Sequence, residues 1–151
     1  PPADGGGALC LSAAEQARGP GIEVVFLGTA EGGAAPVGDL VSALGGAGAV
    51  AERFGAVLAG IPGGMRSAAS EQLRLFLDLT AYAGPVVDYR RYTGQFATAS
   101  AAAAAAAAGW VASGRVPAAL CAGRPAALDG RGILLLGLGD TLSAVALGCA
   151  R

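Results

Sequence analysis

Short apolar runs separated by glycine- and proline-rich segments recur along the chain, and they predict a series of buried strands. The clearest is Ile22–Ala30, whose β-branched and aromatic residues are typical of strands. The other predicted strands are Ala8–Leu11, Ala56–Ala59, Pro85–Val87, Ile133–Leu136 and Ser143–Cys149.

Two longer segments carry helical patterns. Ser67–Tyr82 is predicted as an amphipathic helix, because Leu73, Phe76 and Leu77 recur at the spacing of one helix face. Thr98–Ser113 is predicted as a second helix, which ends at a glycine and is dominated by alanine. Small side chains let other backbones approach closely, so this helix is expected to be covered on several sides.

A weaker helix is predicted to begin near Asp39 and to run towards Phe54, interrupted by glycines. Pro117–Gly132 is predicted as an irregular connection. The resulting alternation of strands and helices favours an α/β layered fold. Because no linker-like segment divides the chain, residues 1–151 are predicted to form a single domain.

Composition narrows the function classes. Hydrophobic residues make up 54% of the 151 positions and charged residues 14%, which excludes a disordered tail. The net charge of −1 provides no electrostatic basis for binding nucleic acid.

The most membrane-like stretch, Phe96–Val111, is mostly alanine and is interpreted as a buried helix rather than a membrane span. Three widely separated cysteines, Cys10, Cys121 and Cys149, favour a reducing cytoplasm over a disulfide framework.

Two residue types are missing, and their absence removes much chemistry. All ten basic residues are arginines, so the chain contains neither lysine nor histidine. It therefore has no Walker-type lysine, no Schiff-base lysine, no imidazole base and no histidine metal ligand. We expect no metal, no cofactor and no catalysis by this chain alone.

Individual motifs are unspecific in so glycine-rich a chain. Gly46–Ala51 satisfies a dinucleotide-binding pattern but does not follow a predicted strand. Gly137–Gly139 indicates a tight turn between two apolar strands. Arg90 and Arg91 lie beside tyrosines, and they predict either a contact with an acyl carrier protein or a solvated turn.

Taken in order, however, several segments resemble the C-terminal half of the thiolase-fold β-ketoacyl synthases. Asp4–Leu11 is similar to the family's GEGAxxLVLE strand, and Ala59–Gly64 stands in the place of its HGTxT motif. Arg90–Gln95 resembles the KSxxGH motif, and Gly109–Pro117 resembles the end of the following helix with its G-x-(V/I)-P-P segment. Leu136–Thr141 is similar to the FGFGGT motif. The resemblance covers essentially the whole chain.

The resemblance implies a thiolase-like half, a βαβαβαββ layered sandwich with a mixed five-stranded sheet. Ile133–Leu136 and Ser143–Cys149 would be antiparallel, and the chain from Arg115 onward would return to the sheet edge. The alanine-rich helix would lie in the middle of five layers. The family's nucleophilic cysteine belongs to an N-terminal half that these residues do not contain.

Departures from the family pattern point to one of its branches. Pro62, or the neighbouring Ile61, and Gln95 stand where the family has its two histidines. Arg90 replaces the lysine, and Leu138 replaces the gating phenylalanine. Neither proline nor glutamine can shuttle a proton. Such losses resemble the chain length factors, the non-condensing partners of ketosynthases in type II polyketide synthases.

This resemblance implies that Pro62 and Gln95 are vestigial positions and that no residue of the chain is catalytic. The implied gating turn comprises Gly137, Leu138, Gly139 and Thr141, and the implied structural residues are Arg90, Thr93 and Gly94. The implied partners are a ketosynthase subunit, in a heterodimer, and an acyl carrier protein. The surface around Phe96, Ala99 and Ala103 would face the partner.

Two other hypotheses remain open. The chain could be part of a catalytic β-ketoacyl synthase or acyltransferase that a missing segment completes, with its base supplied from outside these residues. Alternatively, it could be an unrelated α/β module with a binding or structural role.

Overall fold

The computed structural model describes residues 19–31 and 34–149. The strands are β1 (Pro20–Thr29), β2 (Phe54–Gly60), β3 (Val86–Asp88), β4 (Arg115–Val116), β5 (Ala126–Ala127), β6 (Gly132–Gly137) and β7 (Thr141–Cys149). The helices are α1 (Ala35–Ala43), α2 (Ala47–Arg53), α3 (Arg66–Thr80), α4 (Arg90–Thr93) and α5 (Ala99–Ser113), with 3₁₀ turns at Gly63–Met65 and Ala118–Leu120. The predicted strand at Ala8–Leu11 lies outside the described residues.

Within these residues the main sheet has five strands in the order β1-β7-β6-β2-β3. Strand β2 is parallel to both β3 and β6, whereas β7 is antiparallel to β6 and β1. The predictions of an α/β fold, of a mixed five-stranded sheet and of antiparallel final strands are therefore confirmed. Every residue of β2 is buried, as expected for a parallel strand that has a neighbour on each side in a covered sheet.

Helices cover both faces of this sheet. On one face, α1, α2 and α3 bury apolar side chains against Val57, Leu134 and Leu136. On the other face, α5 packs against Leu58 and Ile133. The two cores follow from the alternation of side chains along β2 and β6, because successive residues point to opposite faces of a sheet.

The first helical region differs from its prediction. Helix α1 begins at Ala35, with Pro36 in its first turn, rather than near Asp39. The chain then breaks at Gly45 and Gly46, whose φ angles are +98° and +88°, before α2 begins. Left-handed backbone of this kind suits glycine and ends a helix, so the glycines produce two short helices instead of one weak helix.

The prediction that the chain returns to the sheet edge after α5 is wrong. Strand β4 pairs instead with β5 in a separate two-stranded sheet. The backbone N–H of Leu128 donates to the carbonyl of Gly114 at 2.9 Å, and the Leu128 side chain is buried. This hydrogen bond and the burial of the leucine close the connection onto the end of α5.

Helix α5 is covered on one side by its own chain. Ala99, Ala103 and Ala107 are buried against the sheet, whereas Ala101 and Ala105 on the opposite side are half-buried. The predicted partner surface therefore needs correction, because Ala99 and Ala103 already contact this chain's own strands. A protein that covered α5 would have to use the opposite side.

Replacing Ala104 with leucine should destabilise the fold by roughly 1–3 kcal/mol, because overpacking of a well-filled core forces side chains and backbone to shift. Ala104 is only 7% exposed. Chemical denaturation of both proteins measures the loss. Ala112→Leu is the matched control, since Ala112 lies exposed on the same helix. Equal stability of the two variants would show that α5 does not pack as described.

Candidate functional site

Three loops meet where the parallel strands end. The loop after β2 contains Pro62, the segment after β3 contains Gln95, and the turn after β6 contains Gly139. Carboxyl ends of parallel strands form the usual binding edge of an open α/β sheet. We call the surroundings of these three residues the carboxyl-edge site.

Gln95 connects the segment after β3 to the loop after β2. Its Oε1 accepts a hydrogen bond of 3.1 Å from the backbone N–H of Gly63, and its Nε2 donates one of 3.5 Å to the carbonyl of Ile61. The amide therefore bridges the residues on either side of Pro62. A carboxamide can make both bonds at once, because it carries a donor and an acceptor, but it does not titrate near neutral pH.

Gly139 connects the turn after β6 to helix α3. Its backbone N–H donates to Gln72 Oε1 at 2.9 Å, and its carbonyl accepts from Gln72 Nε2 at 3.0 Å. A Cβ atom at Gly139 would lie 3.5 Å from Pro62 Cγ and 3.2 Å from Met65 Sδ. The turn is therefore packed directly against the loop after β2. Gln72 was not among the predicted site residues, because the amphipathic pattern of α3 does not distinguish it from other polar residues beside the apolar face.

The other members of the predicted gating turn make different contacts. Leu138 is buried in the core on the α3 side of the sheet. Gly137 ends β6 and lies opposite Ser143, whose hydroxyl occupies the space that a side chain would need. Thr141 is exposed where β7 begins. Of the four predicted residues, Gly139 is the one that approaches Pro62 and bonds to Gln72.

Hydrogen bonds to the residues just before and just after it hold helix α4 in place. The backbone N–H of Arg90 donates to Asp88 Oδ1 at 3.2 Å, and Arg90 Nη1 donates to the carbonyl of Phe96 at 3.5 Å. Thr93 Oγ1 donates to the carbonyl of Tyr89 at 3.0 Å. Gly94, with a φ of +96°, ends the helix. These bonds fix the direction in which the chain approaches Gln95.

A partly buried carboxylate lies at the end of β3. The Asp88 side chain is 12% exposed, and its Oδ2 lies 3.7 Å from Arg66 and 3.6 Å from Arg91. Two guanidinium groups therefore lie near one carboxylate and leave a local excess of positive charge. Burial raises the pKa of Tyr89 above its ordinary value, and the charge of Arg90 opposes that shift.

The three residues that define the carboxyl-edge site carry no side chain that titrates near neutral pH. Gln95 and Pro62 can neither accept nor donate a proton near pH 7. Among the described residues there is no group of three potential metal ligands. Cys121 is half-buried, and burial raises the pKa of its thiol, which disfavours the nucleophilic thiolate.

Comparisons with known proteins identified no relative of this chain. No protein-family model, no curated protein and no solved structure matches the chain. In the ranges 19–31 and 34–149, no helix combines the length and the apolar character needed to cross a membrane.

Proposed function

We propose that this chain is a non-condensing, chain length factor-like subunit. It would support a cytoplasmic ketosynthase that elongates acyl chains held on an acyl carrier protein. The observation that carries the proposal is the Gln95 amide, bonded to the backbone of both Ile61 and Gly63.

The two positions that resemble the family's histidines meet at one edge of the sheet. They come from separate segments, after β2 and after β3, and Gln95 bonds to the two residues on either side of Pro62. Convergence of these segments agrees with the resemblance, and it follows from the parallel pairing of β2 with β3, whose carboxyl ends lie side by side. Since an amide and a proline occupy those positions, the arrangement supports a role in structure rather than in proton transfer.

The arginines around Asp88 support contact with a carrier protein. Arg66 and Arg91 have side chains that are 49% and 71% exposed. Guanidinium groups bind phosphate through paired hydrogen bonds, and a carrier presents its acyl chain on a phosphodiester arm. We therefore place the carrier contact at the carboxyl edge, beside α4.

The uncovered side of α5 supports contact with a ketosynthase. Its small side chains, including the half-buried Ala101 and Ala105, would let a facing helix approach closely. Co-purification with a tag on this chain tests the proposal. The expected result is a one-to-one complex with a larger ketosynthase that carries cysteine and histidine. A stable lone monomer would contradict it.

Gln95→Ala and Gln95→His should both leave the isolated chain without malonyl decarboxylation. A histidine at position 95 would supply an imidazole, but the resemblance assigns the cysteine nucleophile to another part of the synthase. Release of CO₂ from a malonyl-loaded carrier protein provides the measurement, with a catalytic ketosynthase as the positive control. Turnover by the unmodified chain that disappears in Gln95→Ala would instead favour the acyltransferase hypothesis.

A further inference from the structure

A small apolar cavity lies between α5 and the edge of the sheet. Its volume is about 200 Å³. Leu58 of β2, Val87 of β3 and Tyr89 form its buried wall, with exposures of 0%, 3% and 4%. The three residues that define the carboxyl-edge site do not line it.

The alanine content of α5 explains why the space is empty. Ala103 and Ala106 line the cavity from the helix, and each presents a single methyl group. Protein interiors are otherwise close-packed, with few voids larger than a water molecule. A longer side chain at either position would reach into the space.

The rim of the cavity is aromatic and accessible. Tyr92 is 59% exposed, and Trp110 is half-buried on the last turns of α5. Thr93, which also lines the cavity, already donates its hydroxyl to the Tyr89 carbonyl. The lining contains no charged side chain, so it favours an uncharged ligand.

We propose that this cavity binds a small uncharged ligand, an aromatic ring or an alkyl chain of about six to eight carbon atoms. An apolar cavity of about 150 Å³ can bind benzene, so the volume here suits a molecule of toluene size. The tyrosine and tryptophan rings at the rim would pack against the ligand as it enters. This binding is independent of the proposed partnership with a ketosynthase.

Trp110 makes the proposal directly testable, because it is the only tryptophan of the chain. Titration with toluene should shift Trp110 emission, excited at 295 nm, along a saturable curve and should raise the melting temperature. Absence of saturable binding to the unmodified protein would overturn the proposal.

Ala106→Leu should fill the cavity, weaken toluene binding at least tenfold and raise the melting temperature of the free protein. Ala112→Leu is the matched control, since Ala112 lies exposed on the same helix and does not line the cavity. Its binding curve should match that of the unmodified protein. Undiminished binding to Ala106→Leu would overturn the assignment.

A second measurement does not depend on the folding of that variant. Magnetisation transfer from bound toluene to the methyl groups of Leu58 and Val87 in the unmodified protein should be observed by NMR. Transfer to other methyl groups alone would place the ligand elsewhere and contradict the proposal.

Discussion

Replacing Gln72 with alanine should lower the free energy of unfolding by about 2–4 kcal/mol, since a buried donor and a buried acceptor would both lose their partner. The Gln72 amide satisfies the N–H and the carbonyl of Gly139, which is buried in its turn. Denaturant titration measures the loss.

Glu71→Ala is the matched control for this prediction. Glu71 precedes Gln72 on α3, but its side chain is 76% exposed and lies 3.9 Å from Arg74. Exposed ion pairs contribute little, so the control should change the stability by at most about 0.5 kcal/mol. If the two variants were equally stable, the hydrogen bonds between Gln72 and Gly139 would not contribute to the stability of the turn after β6.

Replacing Gly139 with alanine should also cost about 1–3 kcal/mol, mainly through backbone strain. The φ angle of +122° is one that side-chain-bearing residues rarely adopt. In addition, the new methyl group would lie 3.2 Å from Met65 Sδ, which would have to shift slightly, whereas its distance of 3.5 Å from Pro62 Cγ is an ordinary contact. The loss should appear as a lower melting temperature and a lower denaturant midpoint.

Gly109→Ala is the contrasting substitution. Gly109 lies within α5 and has no atom within 4 Å of an added Cβ. Alanine is the better helix former, so this variant should be more stable by about 0.5–1 kcal/mol. A neutral outcome at Gly139 would mean that the turn is free to move away from the loop after β2.

Most of the fold was predictable because its signals are local. The apolar run that forms β1, the amphipathic pattern of α3 and the alanine-rich α5 each appear within one short window of sequence. The glycine-broken α1 and α2 were less clear, because glycines at 45 and 46 weaken a helical pattern without showing where each helix begins. The pairing of β4 with β5 depends on burial of Leu128, and pairing of two-residue strands leaves no pattern to recognise.

Residues of the carboxyl-edge site could be predicted only where the family resemblance identified them. Gln95 was identified through the resemblance, and its contacts with Ile61 and Gly63 span more than 30 residues of sequence. Gln72 lies 67 residues from Gly139, and nothing local distinguishes it from a solvated helix residue. Leu138 was expected to form part of a gating turn, but its burial in the core follows from the tertiary packing.

Reconstituted product formation tests the central claim most directly. The assay combines a malonyl-loaded acyl carrier protein with the ketosynthase that co-purifies with this chain, in the presence and in the absence of the chain. We predict that full-length elongation requires the chain and that Gln95→Ala, which removes only a non-titrating amide, still supports it. Product formation that is indifferent to the chain would contradict the account and would favour an unrelated α/β binding module.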